Sequence, residues 1–201
     1  MRGMRRHLVI MARAPRLGAV KRRLAADIGA VAAWRFYRTE AGRLLARLSR
    51  DRRWSTWLAV TPDPSSSAAR GLWPFAGPVV GQGTGDLGQR MGRLLRALPP
   101  GPMVIIGTDS PTIQARHVAE AFDALGRAEW VIGPATDGGY WLIGARRRPR
   151  IELPFADVRW SGPHARADTL SNLGHDKVTI LEEMGDIDDG ADFRRWQAAR
   201  R

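Results

Sequence analysis

At 201 residues and 44% hydrophobic content, the chain is long enough to bury a sizeable core within one domain. It has no cysteine, which excludes disulfides and thiolate zinc sites. The formal net charge is +12, yet all but two of the 32 basic residues are arginine, spread over nearly every predicted element with no RNA-binding type of aromatic strand beside them, so no nucleic-acid partner is expected.

The first predicted strand covers His7–Ala12. Arg2, Arg5 and Arg6 precede it, but Leu8–Met11 falls short of the ~7–15 apolar residues of a signal peptide. Nor does any run approach the ~18 residues of a membrane helix, so a cytoplasmic protein without a membrane span is expected. A loop over Ala14–Val20 leads to helical spacing at Leu24, Ile28, Val31, Trp34, Leu44, Leu45 and Leu48, with Gly29 as a candidate break. Trp54–Val60 alternates as a strand, ended by Thr61-Pro62-Asp63-Pro64 and a serine run. Strand Pro78–Val80, helix Leu87–Leu98, strand Met103–Ile106 and helix Arg116–Leu125 follow. Strands Trp130–Pro134 and Tyr140–Gly144 bracket a glycine turn, where an antiparallel element is expected. A helix near His164–Leu173, a strand at Val178–Leu181 and a helix from Ala191 complete the chain. This alternation predicts an α/β fold: a single-domain three-layer sandwich over residues 1–201, its mixed sheet mainly parallel, with helices on both faces.

Open α/β sheets bind ligands outside the carboxyl ends of their strands. Gly107-Thr108-Asp109-Ser110-Pro111 occupies such a place, which makes Asp109 the first candidate ligand for a hard cation such as Mg²⁺. The loop Arg13–Leu24 joins strand one to a helix start and combines loop amides with cations, a combination able to hold a polyphosphate. It lacks the Walker spacing, so a P-loop NTPase is disfavoured. Lys21 stands out because Lys177 is the only other lysine. Arg22 reads as solvent-exposed, whereas Lys21 and Arg23 read as functional.

Gly83-Thr84-Gly85-Asp86-Leu87-Gly88 matches the dinucleotide fingerprint letter for letter, which makes an NAD-binding Rossmann protein a rival reading. Its mid-chain place and the negative charge of Asp86 argue against that rival. Asp137-Gly138-Gly139-Tyr140 reads either as an acceptor-positioning turn with Asp137 as base or as a purely structural turn. In Gly185–Asp192, Asp189 and Asp192 read as helix caps, and Asp188 as the metal partner of Asp109. The four histidines, none at ligand spacing, are expected at the surface or in caps. The eight tryptophans read as mostly structural, with Trp160 alone placed near a substrate.

Taken in order, Gly18–Ala25, Gln82–Met91, Gly107–Pro111, Gly133–Gly144, Trp160-Ser161 and Asp186–Asp188 resemble the nucleotide-diphospho-sugar transferase superfamily, with its glycosyltransferase-A type fold. More narrowly, the chain is similar to a bacterial glycosyltransferase-like family, part of it assigned to arsenosugar biosynthesis and related to the phospholactate guanylyltransferases. The resemblance implies a nucleotide held by Arg13, Lys21, Arg23, Gln82, Asp86, Gly88, Arg90 and Asp109. It implies Mg²⁺ or Mn²⁺ shared by Asp109 and Asp188, and an acceptor beside Asp137, Gly138, Gly139, Tyr140 and Trp160. Asp109, Asp137 and Lys21 would be catalytic. Two departures stand out: the family's Lys-Thr-Arg-Leu is Lys21-Arg22-Arg23-Leu24 here, and its Asp-x-Asp-Thr-Pro ends in Asp189-Gly190. The implied activity is glycosyl transfer from a nucleoside diphosphate sugar to a small molecule, or nucleotidyl transfer from a nucleoside triphosphate to a phosphorylated small acid.

Overall fold

A computed structural model describes residues 4–63, 71–147, 151–173 and 177–200. The serine run after Pro64, residues 148–150 of the basic cluster and Arg201 lie outside the described residues. Seven strands, β1 (His7–Arg13), β2 (Ser55–Thr61), β3 (Val79–Gly81), β4 (Met103–Ile106), β5 (Trp130–Pro134), β6 (Tyr140–Ala145) and β7 (Val178–Ile180), form one sheet in the order β3-β2-β1-β4-β6-β5-β7. The helices are α1 (Arg22–Ile28), α2 (Ala30–Ser49), α3 (Leu87–Ala97), α4 (Ala115–Ala124), α5 (Ala165–Leu173) and α6 (Gly190–Ala198).

Side-chain alternation sorts each strand between two faces. Leu8, Ile10, Val104 and Ile106 join Tyr37, Leu44, Leu45 and Leu48 of α2 and Val118 and Phe122 of α4 in one core cluster. Val9, Met11, Met103 and Ile105 join Met91, Leu94 and Leu95 of α3 in the other, against which Leu170 and Leu173 of α5 also pack. Helices therefore cover both faces, as the periodicity predicts. Gly29 does break the first helix, with φ 86° and its N–H donating to Ala25 O.

β6 is antiparallel to both β4 and β5, while every other pairing is parallel. This is the antiparallel element expected around Asp137. The order also departs from the 3-2-1-4-5-6 of dinucleotide-binding sheets, which counts against the NAD reading. Because β6 runs backwards, its first residue, Tyr140, lies at the same sheet edge as the carboxyl ends of β1, β2, β4 and β5. No helix among the described residues is long and apolar enough to cross a membrane.

Two histidines expected at the surface or in caps are buried, His7 at 3% and His117 at 4% exposure. His117 does cap α4, its Nδ1 accepting from Gln114 N at 2.9 Å. His7 Nδ1 accepts from Trp57 Nε1 at 3.2 Å, and its Nε2 donates to Pro100 O at 3.3 Å. Both rings therefore need an unprotonated Nδ1, and burial pulls both below the ordinary value of 6.5. A base with a lowered folded pKa leaves the unfolded chain to take the proton first. Stability from this source is full above pH 6.5 and lost as pH falls through that value toward the folded pKa. Asp186, pushed up to about 6, acts with the opposite sign in the same range. We expect the drop in Tm between about pH 7.5 and about pH 5.5 to be smaller in a His7→Gln/His117→Gln variant than in wild type. Equal drops in the two proteins would refute the assignment.

Candidate active site

The loop after β1 is fastened from α2. The Tyr37 hydroxyl accepts from Arg13 N at 2.9 Å and donates to Arg13 O at 2.8 Å, and Trp34 Nε1 donates to Pro15 O at 2.6 Å. Thr108 Oγ1 lies 3.4 Å from the same Tyr37 oxygen, which links this loop to the one after β4. The loop ends at Lys21, the residue before α1, held in the left-handed region at φ 47° and ψ 51°. For a residue with a Cβ that conformation costs roughly 1–2 kcal/mol, and here it turns the side chain inward over the sheet edge.

The Lys21 ammonium, its side chain 5% exposed, reaches Asp109 Oδ1 at 2.5 Å and Asp188 Oδ1 at 3.0 Å. Burial pulls its pKa down, but Asp109 and Asp188 outweigh that and hold it above its ordinary value, so the group stays charged. Ile187 N donates to Asp109 O at 3.2 Å, which brings the segment before α6 against the loop after β4. Arg23 Nη1 stands 3.8 Å from Asp188 Oδ2 on a side chain that is largely exposed. Asp189 caps α6 by accepting from Ala191 N and Asp192 N, as expected. Among the described residues no three His, Asp or Glu side chains are arranged to hold a metal.

The glycine loop before α3 is closed by its own neighbours. Asp86 caps α3 in a reciprocal box with Gln89. Arg90 Nε donates to Gly85 O at 2.9 Å, and Arg93 donates to Gln82 O at 2.5 Å and Thr84 O at 3.1 Å. Gly88 faces Trp160: a Cβ there would lie 2.6 Å from the indole. Asp86, Gly88 and Arg90 thus shape the loop and the helix start. Gln82, 3% exposed, donates its amide to Ala12 O at 3.1 Å and Ala59 O at 2.8 Å, tying β1 to β2 from the end of β3.

Beyond Asp109, Asp137 Oδ1 accepts from Gly139 N at 2.8 Å, so the carboxylate does close its own turn. Gly138 has φ 86° and lies against the Pro163 backbone, leaving no room for a side chain. The Tyr140 hydroxyl is enclosed, and burial raises its pKa. Asp186, which the sequence reading did not single out, stands here with its carboxyl pushed up to about 6 by burial and by Asp188 and Asp137.

Two cavities open at this edge. The larger, about 630 Å³, is lined by Arg13, Lys21, Arg22, Arg23, Tyr37, Thr61, Gln82, Asp109 and Asp188, above an apolar floor of Met11, Met91 and Ile105. Arg22 therefore joins the site while staying exposed. The smaller, about 240 Å³, is lined by Asp137, Gly139, Tyr140, Trp160 and Asp186 among others, and shares Leu87, Gly107, Asp109, Tyr140 and Trp141 with its neighbour. The volume and mixed lining of the first suit a nucleotide-sized ligand. Sequence reading missed Tyr37, Thr61 and Asp186; Tyr37 sits on the apolar spacing of α2, where a core role is the natural expectation.

Residues 44–162 match a family described as an uncharacterized protein conserved in bacteria. Among curated proteins none matches the sequence. Among solved structures, a candidate nucleotide-diphospho-sugar transferase from Desulfovibrio desulfuricans G20 is 24% identical, covering 98% of this chain and 89% of that one with a TM-score of 0.91. A 4-diphosphocytidyl-2C-methyl-D-erythritol synthase from Anaerococcus prevotii DSM 20548 is 14% identical over 99% of this chain and 100% of that one, with a TM-score of 0.65. Rv0371c of Mycobacterium tuberculosis H37Rv, in complex with manganese, is 17% identical over 96% of this chain and 97% of that one, with a TM-score of 0.51. The fold is that of the nucleotide-diphospho-sugar transferases.

Gly88 offers a direct check on how the two cavities are walled. Gly88→Ala should press on Trp160 and Phe155, lower stability by roughly 1–3 kcal/mol and change the Trp160 environment. Thermal unfolding and tryptophan fluorescence report both effects; an unchanged Tm and spectrum would refute the packing.

Proposed function

For a chain that belongs to the DUF2064 family and carries this fold, we propose a transferase using a nucleotide-activated donor, in which a glycosyl group passes from a nucleoside diphosphate sugar to a small-molecule acceptor. The observation that carries the reading is the convergence of Asp109 and Asp188 on the Lys21 ammonium, at the carboxyl edge of the sheet and inside a cavity lined by cations. Lys21, Arg22, Arg23 and Arg13 suit the diphosphate, since oriented cations at a helix start offset its charge.

The residues also fit a hard divalent ion. Two carboxylates, 56% and 40% exposed, already turn toward one point filled by a cation. Mg²⁺ and Mn²⁺ use one or two carboxylates with substrate phosphates and water rather than an all-protein cage. Asp109 and Asp188 would hold such an ion, which supplies positive charge to the departing diphosphate. Asp137 would take the proton of the acceptor hydroxyl. A bond forms between the acceptor oxygen and the anomeric carbon, the bond from that carbon to the diphosphate oxygen breaks, and its electron pair leaves with the nucleoside diphosphate.

The dense cations of the first loop favour one second reading, nucleotidyl transfer from a nucleoside triphosphate with pyrophosphate as the leaving group. The products separate the two: free nucleoside diphosphate from a sugar donor, or pyrophosphate from a triphosphate.

Isothermal titration of nucleotides with and without Mn²⁺ tests the site. Asp109→Asn and Asp188→Asn should each weaken Mn²⁺-dependent nucleotide binding by at least about tenfold. Nucleotide affinity indifferent to Mn²⁺ and to both substitutions would remove the basis of the reading. Lys21→Met should act in two directions: weaker nucleotide binding, but Mn²⁺ alone bound about tenfold more tightly, because the competing ammonium is gone. Electron paramagnetic resonance of free Mn²⁺ reads the second effect.

A further inference from the structure

The two cavities that meet at Asp109 carry opposite charge. The larger has four basic residues, Arg13, Lys21, Arg22 and Arg23, against Asp109 and Asp188. The smaller has three carboxylates, Asp109, Asp137 and Asp186, and among the described residues no basic one. Nearby arginines are committed elsewhere. Arg159 grips Asp168 at 2.8 and 2.9 Å, and Arg166 Nη1 holds Glu183 at 3.0 Å. Three aromatic side chains, Tyr140, Trp141 and Trp160, also line the smaller wall beside Ser110, Ser161, Leu87 and Ile113, with Tyr140 and Trp160 packed edge-on at 6.5 Å between ring centres.

We propose that this smaller cavity takes an acceptor presenting hydroxyl or amino groups and carrying neither phosphate nor carboxylate. The inference rests on the transferase reading and adds the chemical class of its acceptor. An acceptor phosphate needs cations to receive it, and here it would face Asp137 and Asp186, while Asp109 is already paired with Lys21, in a partly enclosed space where like charges repel more strongly than in water. Hydroxyl and ammonium groups instead donate to carboxylates, which only accept. Aromatic faces suit the carbon–hydrogen face of a sugar ring and the charge of an ammonium. A proton acceptor such as Asp137 serves attack by a hydroxyl, whose proton must leave. Attack by a phosphate oxygen, already ionised, needs none.

Three probes on one ring test the charge ranking: glucosamine in its protonated form, glucose and glucose 6-phosphate. Each is titrated into the full chain with tryptophan fluorescence as the signal. Glucosamine and glucose should bind at least about tenfold more tightly than glucose 6-phosphate, and Asp137→Asn/Asp186→Asn should shrink that ratio to near unity. If the double variant does not fold, Asp137→Asn alone should lower the ratio. Glucose 6-phosphate binding as tightly as glucose, or no response to any probe, overturns the proposal. Donor binding is scored separately by Mn²⁺-dependent nucleotide titration, so failure of the donor reading and failure of the acceptor class give different patterns.

Discussion

The ammonium of Lys21 holds the site together. It is almost wholly removed from solvent, and an uncompensated charge in that position is strongly destabilising. Asp109 compensates it from the middle of the chain and Asp188 from near its end, so the loop after β1, the loop after β4 and the segment before α6 close on one point. Neither carboxylate is itself buried, which leaves each with free oxygen lone pairs toward the cavity. An internal salt of this kind is stable as it stands, yet the same three groups can exchange partners when a polyanion and its cation arrive together. That exchange underlies the donor reading.

The second constraint is the direction of β6. Had it run parallel, a crossover would have carried the chain to the far edge and left the Asp137 turn away from Asp109. As an antiparallel strand it returns by a five-residue turn, Ala135–Gly139, and delivers that turn beside the carboxyl ends. Asp109 then stands where two cavities meet, one rich in arginine and lysine, the other acidic and aromatic. The division of charge follows from topology: the loop after β1 supplies the cations of one cavity, the β5–β6 turn lines the other, and the loop after β4 and the segment after β7 border both.

Periodicity and turn chemistry made most elements legible, down to the break at Gly29 and the reversed strand beside Asp137. The pairing of Asp109 with Asp188 was also legible, because a carboxylate at a strand end calls for a partner and the chain offers few. What pattern reading could not supply is the direction in which polar groups spend their hydrogen bonds. Asp86 and Arg90, expected beside a nucleotide, also carry structural bonds, to the cap of α3 and to Gly85 O. Gly88, expected beside a nucleotide, also takes the close approach of the Trp160 indole. Tyr37 shows the converse: its apolar spacing hides a hydroxyl that fixes the Arg13 backbone. His7, like the other histidines, was expected at the surface or in a cap because none sits at ligand spacing, and its tertiary partners Trp57 and Pro100 O account for its burial.

The surplus of arginine acquires a structural meaning from the same accounting. Arg47 donates to Pro111 O and Ile113 O, Arg93 to Gln82 O and Thr84 O, Arg147 to Pro99 O and Leu98 O, and Arg146 to Leu125 O. A planar guanidinium with five donors is well matched to pairs of backbone carbonyls, so these four arginines tie segments of the fold together without any external polyanion. Position 21 makes the opposite demand. Between two carboxylates that both reach one buried side chain, a compact ammonium fits where a guanidinium fork would push the acids apart. In a chain whose other basic residues are almost all arginine, the lysine at this one buried point is explained by the size of the gap that it fills.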